Sequence, residues 1–247
     1  MKKYGLIGLP LVHSFSKRFF TEKFEREGID AQYDLYELQK IADFKELISS
    51  VQLGGLNVTI PYKEQIIPYL NELDDTAAQI GAVNVIKFNN TAHGLVLKGF
   101  NSDAVGFEKS LVPLLKPYHR NALILGTGGA SKAIDYTLRK LGIIPTFVSR
   151  TPKPEVLGYW QLTEEVIGAN TLIVNASPVG TFPHSDECPD IPYQFITPQH
   201  VLYDVVYNPA ETLFMKKGAE RGAVVLNGEA MLVGQAVAAW EIWNGEF

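Results

Sequence analysis

The spacing of apolar residues along this chain changes repeatedly between the period of a strand and the period of a helix. Apolar runs predict strands at residues 4–7, 31–38, 55–60, 83–88 and 94–97, the last two joined by a turn at Asn89-Asn90. Helical spacing predicts helices at residues 17–27, 41–50, 74–80 and 103–112, with Ser16 as a candidate cap of the first. This alternation is typical of an α/β domain.

The second half of the chain has the order of a β-α-β unit. Residues 122–125 and 143–148 are apolar runs, and helical spacing between them begins at Ala130. Further runs rich in β-branched residues can extend a parallel sheet, at residues 171–175, 201–205 and 223–226. Residues 178–198 contain five prolines and are expected to be irregular.

These patterns predict a two-domain α/β protein. An N-terminal α/β substrate domain would comprise residues 1–101, and a Rossmann-type doubly wound nucleotide-binding domain would comprise residues 102–230. A final helix at residues 229–243 carries an apolar stripe and is expected to return to the first domain, which then includes residues 231–247. Gln235 would then lie where the domains adjoin, a common place for a ligand.

Composition and charge indicate a globular protein that does not bind nucleic acid. The 247 residues are 46% hydrophobic and 20% charged, which is typical of a chain with a packed core. A net charge of −5 gives no basic surface for nucleic acid, so we expect a small-molecule partner, with the protein a monomer or a homodimer. We expect no membrane span. Residues 1–12 are not expected to be a signal peptide, because glycines and a proline interrupt their apolar run.

Cysteine and histidine usage gives no indication of a metal. The single cysteine, Cys188, suits a reducing compartment, and we expect the protein to be cytoplasmic. The histidines lack the spacing of a metal site; they are His13, His93, His119, His184 and His200. No metal is therefore predicted.

The most informative stretch is Gly126-Thr127-Gly128-Gly129-Ala130, between a predicted strand and a predicted helix. Such a turn directs backbone N–H groups and the positive end of the helix dipole at one point, where a pyrophosphate can bind. Ser131 stands where the third glycine of GxGxxG is expected. Two interpretations are open at this point, a dinucleotide site and a tight turn in another kind of α/β domain.

The second strand of this unit ends in Ser149-Arg150-Thr151, where an NAD site carries an acidic residue against the ribose 2′-hydroxyl. Arg150 instead offers a fork of donors suited to a phosphate, and Lys153 adds a second positive charge. The sequence therefore predicts NADP as the cofactor. The alternative is that Arg150 is a solvated surface residue.

Polar side chains also follow the predicted strands of the first domain. They are Ser14 and Ser16; Asn57, Thr59 and Lys63; Asn84; and Asn101 with Asp103. Uncharged donors and acceptors at several loop ends suit a polyhydroxylated substrate. Each also has a structural interpretation: a helix cap for Ser16, turn contacts for the asparagines, and a surface ion pair for Lys63 with Asp103.

Nine motifs carry a resemblance to a known family. They are GLPLVHSFS, GLNVTIPYK, GAVN, GFNSD, GTGGAS, SRT, NASPVG, YDVVYNP and NGEAMLVGQA. In this order and across nearly the whole chain, they resemble the motifs of the shikimate dehydrogenase family. The resemblance implies a reversible, NADPH-dependent reduction of 3-dehydroshikimate to shikimate in the route to chorismate and the aromatic amino acids.

The resemblance also implies a role for individual residues. Lys63 and Asp103 would be the catalytic pair, with Lys63 moving the proton. The implied substrate-binding residues are Ser14, Ser16, Asn57, Thr59, Lys63, Asn84, Asp103, Tyr207 and Gln235. The implied cofactor-binding residues are Gly126, Thr127, Gly128, Gly129, Ala130, Ser149, Arg150, Thr151, Val205 and Gly228, to which we add Lys153 for its charge.

Some positions depart from the family pattern, and some alternatives stay open. Pro152-Lys153-Pro154 occupies the region where the family often has a second arginine, and Glu229-Ala230 replaces a more usual Leu-Gly. A quinate/shikimate or aminoshikimate-type dehydrogenase would share most motifs. A methylenetetrahydrofolate dehydrogenase is disfavoured, because Thr59 stands where its YxxxK signature has a tyrosine. A relative that senses NADP and substrate without turnover is disfavoured by the presence of Lys63 and Asp103.

Overall fold

The structure is a computed structural model that describes residues 1–11, 14–92 and 94–245. Two of the histidines considered above, His13 and His93, lie outside the described residues. The chain forms two compact units, one comprising residues 1–102 and 235–247 and the other residues 103–234.

The first unit is built on a mixed sheet of six strands. They are β1 (Lys2–Gly8), β2 (Ala31–Glu37), β3 (Leu53–Val58), β4 (Glu72–Leu73), β5 (Val85–Thr91) and β6 (Gly94–Phe100). Its helices are α1 (Phe15–Glu27), α2 (Phe44–Ser50) and α3 (Asp75–Ile80). The strand order is β2-β1-β3-β5-β6-β4, with β5 antiparallel to both β3 and β6.

The second unit is built on a parallel sheet of six strands. They are β7 (Asn121–Leu125), β8 (Ile144–Ser149), β9 (Val156–Gly158), β10 (Leu172–Asn175), β11 (Val201–Asp204) and β12 (Val224–Leu226). The helices that complete the chain are α4 (Ser102–Leu111), α5 (Gly129–Lys140), α6 (Glu164–Ala169), α7 (Leu213–Ala219) and α8 (Glu229–Asn244). The strand order β12-β11-β10-β7-β8-β9 reverses direction at β7, and ligands of doubly wound sheets bind at such a point.

Alternating residues of β7 show why this sheet is covered on both faces. Ala122 and Ile124 belong to one apolar core, and Leu123 and Leu125 belong to another. A parallel strand buried on both sides reads as a continuous apolar run, which is the pattern seen in the sequence.

The C-terminal part of α8 completes the core of the first unit. The indole of Trp243 stacks on Tyr4, with ring centroids 4.8 Å apart, and its Nε1 donates a 3.1 Å hydrogen bond to the carbonyl oxygen of Ile86. A Cβ at Gly55 would stand 2.3 Å from this indole, so only glycine leaves room for it.

Three details differ from the expectations above. Helix α1 begins at Phe15, and its cap is Ser14, whose Oγ accepts a 3.2 Å hydrogen bond from the Lys17 N–H, so the predicted cap at Ser16 is wrong. The predicted turn at Asn89-Asn90 is also wrong, because both residues pair with β6 and the ladder continues to Thr91. Strands β4 and β9 and helices α6 and α7 had not been predicted; the two strands have only two and three residues, too few to show a period.

Every helix within the described residues is too short or too polar to span a bilayer.

Candidate functional site

The glycine turn after β7 has the geometry of a phosphate-binding turn. Gly126 has a φ of +116°, which favours glycine, and a Cβ there would stand 3.2 Å from the backbone of Ala176 and Ser177. Gly128 is the N-cap of α5 and makes no side-chain cap, and a Cβ on it would meet no atom within 4 Å. The first N–H groups of a helix have no acceptor within that helix, so this end of α5 can receive an anion.

Ser131 explains how the turn tolerates a departure from GxGxxG. Its side chain is fully buried, and its hydroxyl donates a 2.5 Å hydrogen bond to the carbonyl oxygen of Gly128. This hydrogen bond thus stabilises the first turn of α5 from its buried side, and the serine side chain does not cover the exposed side of the turn.

The end of β8 lies beside this turn and provides a positive charge. The hydroxyl of Ser149 accepts a 3.2 Å hydrogen bond from the N–H of Thr151, and the Arg150 side chain between them is exposed. Burial raises the pKa of Tyr159 and the Arg150 guanidinium opposes that rise; both residues line the same cavity.

One cavity of about 900 Å³ in the second unit connects these two features. The predicted cofactor residues that line it are Gly126, Thr127, Gly128, Ser149 and Arg150. Its other walls come from the turn after β9 and from the loop between residues 176 and 190. Lys153 does not line this cavity; it lines a separate depression of about 520 Å³ with Pro152 and Glu155.

Val205 and Gly228 contact each other elsewhere in the second unit. A Cβ at Gly228 would stand 2.0 Å from the carbonyl oxygen of Val205, and the Gly228 N–H donates a 3.0 Å hydrogen bond to the carbonyl of Val206. The backbone after β11 can approach the start of α8 only because residue 228 is glycine.

A buried carboxylate holds the loops around these residues. Asp204 is fully buried and accepts hydrogen bonds from the Val206 N–H, the Asn175 amide and the Thr212 hydroxyl at 3.0, 2.9 and 2.6 Å. Burial raises the pKa of Asp204 to about 6, although these hydrogen bonds oppose the rise. Asn175 in turn accepts a 2.7 Å hydrogen bond from the hydroxyl of Ser177, which lines the cavity.

In the first unit, a hydrogen-bond network joins two predicted substrate residues. The Tyr33 hydroxyl donates a 2.7 Å hydrogen bond to Asn57 Oδ1, and Asn57 Nδ2 donates a 3.3 Å bond to the carbonyl of Asn84. Asn84 Nδ2 then donates a 3.0 Å bond to the hydroxyl of Ser102. All four side chains are buried, so their orientations are fixed before any ligand binds.

The two predicted serines at the start of α1 have different surroundings. Ser14 caps the helix, whereas Ser16 forms a hydrogen bond with the hydroxyl of Tyr33. That bond opposes the rise that burial causes in the pKa of Tyr33. Ser16 is therefore connected through Tyr33 to Asn57.

Thr59 and Lys63 follow β3 in a loop that is tied to its neighbours. The Thr59 N–H donates a 2.9 Å hydrogen bond to the carbonyl of Ile7, and the Lys63 carbonyl accepts a 2.8 Å bond from the N–H of Val83. Tyr62 between them is buried, and the side chain of Lys63 is half-buried. The backbone that carries the candidate catalytic lysine is thus fixed on both sides.

Two further predicted residues lie on helices and a third lies in the loop after β11. Asp103 is the second residue of α4 and is 7% exposed; it belongs to the second unit, as does Tyr207, which follows β11 and is 40% exposed. Gln235 lies in the part of α8 that belongs to the first unit and is also 7% exposed.

Among the residues that the structure describes, no three His, Cys, Asp or Glu side chains form a group that could hold a metal ion.

Comparison with known proteins relates this geometry to a family. A family model described as the shikimate dehydrogenase substrate binding domain matches residues 6–86. The NADP(+) shikimate dehydrogenase of Aquifex aeolicus is 37% identical over 98% of this chain and 91% of its own length. The chain belongs to the shikimate dehydrogenase family.

Solved structures similar to this family member have the same fold. Shikimate 5-dehydrogenase from Thermus thermophilus, in complex with NADP(H) and shikimate, is 28% identical with a TM-score of 0.85, covering 99% of this chain and 94% of that one. Quinate dehydrogenase from Corynebacterium glutamicum, in complex with NAD, is 26% identical with a TM-score of 0.86 and the same coverage. The predicted two-domain fold with a Rossmann-type domain is confirmed.

Sequence reasoning missed two residues that order the candidate site of this shikimate dehydrogenase family member. Tyr33 lies within β2 as one of several alternating apolar residues, and its partner Asn57 is 24 positions away. Asp204 is within a quoted motif, but a carboxylate at a strand end gave no sign of being fully buried. The available signal for Asp204 was Thr212, whose hydroxyl is both a helix cap and its partner.

Proposed function

We propose that this protein catalyses the reversible, NADPH-dependent reduction of 3-dehydroshikimate to shikimate, a step in the route to chorismate and the aromatic amino acids. The observation that carries the proposal is the likeness, over 98% of the chain, to relatives named NADP(+) shikimate dehydrogenases. The chemistry of the residues in each unit supports it.

The second unit fits a dinucleotide with a 2′-phosphate. The N-terminal end of α5 favours a pyrophosphate, and the open space beside Gly128 allows it to approach the backbone. Arg150, in the wall of the same cavity, suits the 2′-phosphate, and no acidic residue stands in Ser149-Arg150-Thr151 to bind a ribose 2′-hydroxyl. The residues proposed to hold NADP are Gly126, Thr127, Gly128, Gly129, Ala130, Ser149, Arg150, Thr151, Lys153, Val205 and Gly228. When bound, NADPH supplies the hydride that reduces the substrate carbonyl.

The substrate is a carboxylate with several hydroxyls, and the proposed contacts match it. Ser14 and Ser16 provide hydroxyls for the carboxylate, and the fixed amides of Asn57 and Asn84 provide donors and acceptors for ring hydroxyls. The further residues proposed to contact the substrate are Thr59, Lys63, Asp103, Tyr207 and Gln235. Because the amides are already oriented, little ordering is needed on binding.

Lys63 and Asp103 are the proposed catalytic pair. Lys63 donates a proton to the substrate oxygen as the carbonyl becomes a hydroxyl, and it accepts that proton in the reverse direction. Asp103 orients the ammonium group and accepts a hydrogen bond from a substrate hydroxyl. Fixing the backbone around Lys63 limits the positions that the proton donor can take, which favours a reactive geometry.

We also propose a cytoplasmic location and a monomeric or homodimeric state. A chain with one cysteine suits a reducing compartment.

The experiment that tests the function measures turnover of shikimate and quinate, each with NADP and with NAD. The fastest turnover is expected with shikimate and NADP. Activity with quinate alone would overturn the assignment in favour of a quinate dehydrogenase. Binding of shikimate and NADP without any turnover would favour a sensing protein.

A quinate/shikimate dehydrogenase is the second candidate, favoured by the likeness to the NAD-bound quinate dehydrogenase. Arg150 argues against its NAD-preferring forms, since a cation in place of an acid favours the 2′-phosphate. The same four assays separate the two candidates.

A further inference from the structure

A large aromatic residue outside the predicted site lines the cavity of the second unit. Trp160 follows β9, and its residue surface is 71% exposed. Single exposed apolar residues are common on proteins and need no explanation. Trp160 is different because it shares its cavity with Ser149 and with Arg150, the residue proposed to bind the 2′-phosphate.

The position of the indole is set by the edge of the sheet. The register of β8 and β9 places Gly158 opposite Ser149, and the short turn of residues 159–161 follows at once. A Cβ at Gly158 would stand 2.5 Å from the indole ring, so the ring lies directly over this glycine. The Gly158 N–H donates a 2.8 Å hydrogen bond to the side-chain oxygen of Gln161, which closes the turn. The indole is therefore held beside Ser149.

The chemistry of this wall matches one end of the proposed cofactor. The glycine turn suits the pyrophosphate at the centre of the dinucleotide, and Arg150 suits a phosphate on the adenosine ribose. The base next to that ribose is adenine, whose flat face stacks favourably on an aromatic side chain.

We infer that Trp160 is a cofactor-binding residue that stacks on the adenine ring of NADP. The inference rests on the proposed use of NADP, and it assigns a residue in the turn after the short edge strand β9 a part in holding the nucleotide. Because its ring is mostly exposed, Trp160 contributes little to the core of the second unit, and its substitution is expected to leave folding intact.

The first test compares Trp160→Leu with Trp160→Phe and with Tyr118→Leu, which removes another exposed aromatic ring of the second unit outside the cavity. The probe is adenosine 2′,5′-bisphosphate, which carries adenine and the 2′-phosphate but no nicotinamide. Trp160→Leu is expected to weaken its binding about 5–100-fold, and Trp160→Phe and Tyr118→Leu much less. The KM values for NADP and NAD should rise by similar factors, because both carry adenine, while kcat stays near that of the wild type.

A fluorescence titration gives a second readout. Trp160 is the only tryptophan of the second unit, since Trp240 and Trp243 belong to the first. Adenosine 2′,5′-bisphosphate is expected to quench wild-type tryptophan emission, and the quenching should disappear in Trp160→Phe.

Two results would overturn the inference, and they differ in what they say of the function. If wild type turns over shikimate with NADP but Trp160→Leu binds the probe normally, only the role of Trp160 is wrong. If wild type neither binds the probe nor uses NADP, the proposed function and this inference both fail.

Discussion

The hydroxyl of Tyr33 donates a 2.7 Å hydrogen bond to the side-chain oxygen of Asn57, and both residues are buried. An asparagine amide can rotate so that its oxygen and nitrogen exchange places, and a buried donor on one side removes that choice. Tyr33 therefore fixes which end of the Asn57 amide accepts and which donates.

Tyr33→Phe tests this relationship. Loss of the donor leaves the Asn57 oxygen buried without this partner, so the free energy of unfolding should fall by about 1–3 kcal/mol. The KM for shikimate should rise while the KM for NADP stays unchanged, because the network belongs to the first unit. Tyr36→Phe, on the same strand, is the matched control. A normal KM for shikimate in the Tyr33→Phe enzyme would show that this hydrogen-bond network does not affect substrate binding.

Arg150→Ala is expected to reduce the preference for NADP. Loss of a hydrogen-bonded charge on the 2′-phosphate should cost about 1.5–3 kcal/mol, which raises the KM for NADP about 10–150-fold and changes that for NAD little. Arg120→Ala, which removes another exposed arginine of the second unit outside this cavity, is the control. Lys153→Ala should have a smaller effect than Arg150→Ala, because Lys153 lines a different depression. Equal effects of Arg150→Ala on both cofactors would mean that Arg150 does not read the phosphate.

Lys63→Ala should lower kcat by about 10²–10⁴, the range for loss of a positioned proton-transfer group, and leave NADP affinity near that of wild type. Asp103→Asn should lower both turnover and shikimate affinity. If the two side chains act as one unit, the double variant will be little slower than the slower single variant. Near-normal kcat in Lys63→Ala, with a deuterium isotope effect showing that hydride transfer limits the rate, would remove Lys63 from the mechanism.

Asp204→Asn should change how stability depends on pH. The pKa of Asp204 is raised from 3.8 to about 6 in the folded protein, so between these pH values the folded state holds a proton that the unfolded state has released. The free energy of unfolding therefore falls as pH rises through this window, by about 3 kcal/mol in all.

The measurement is urea unfolding of wild type and Asp204→Asn at several pH values from about 4 to 7. Taking the difference between the two proteins cancels the contributions of other carboxylates. Wild type should lose stability relative to the variant as pH rises to about 6 and then hold a constant difference. A difference that stays the same at every pH would show that Asp204 does not titrate in this range.

The sequence predicted those helices and strands whose own residues show a run or a period of apolar side chains. Helix α5, expected from Ala130, begins at Gly129, and β7, expected from residue 122, begins at Asn121. Strand residues that depend on pairing with a neighbouring strand could not be predicted in this way. Strand β9 has three residues and exists through its pairing with β8, and Asn89 is a strand residue because it pairs with Val96.

The same distinction applies to the residues of the candidate site. The glycine turn and Arg150 are local in the sequence and were found by their order after two strands. The Tyr33–Asn57 bond and the place of Trp160 over Gly158 depend on how strands pair, and the pattern of a single strand carries no information about its partner.

The packing of Trp243 against Tyr4 and Gly55 affects the order in which the protein can fold during synthesis. Residues 1–102 leave the ribosome first, yet their core lacks its C-terminal helix until residues from Gln235 onward have been made. Residues 103–234 are contiguous and need no later segment to form their unit. The second unit is thus complete before the first, which reverses the order in which domains of a growing chain generally fold.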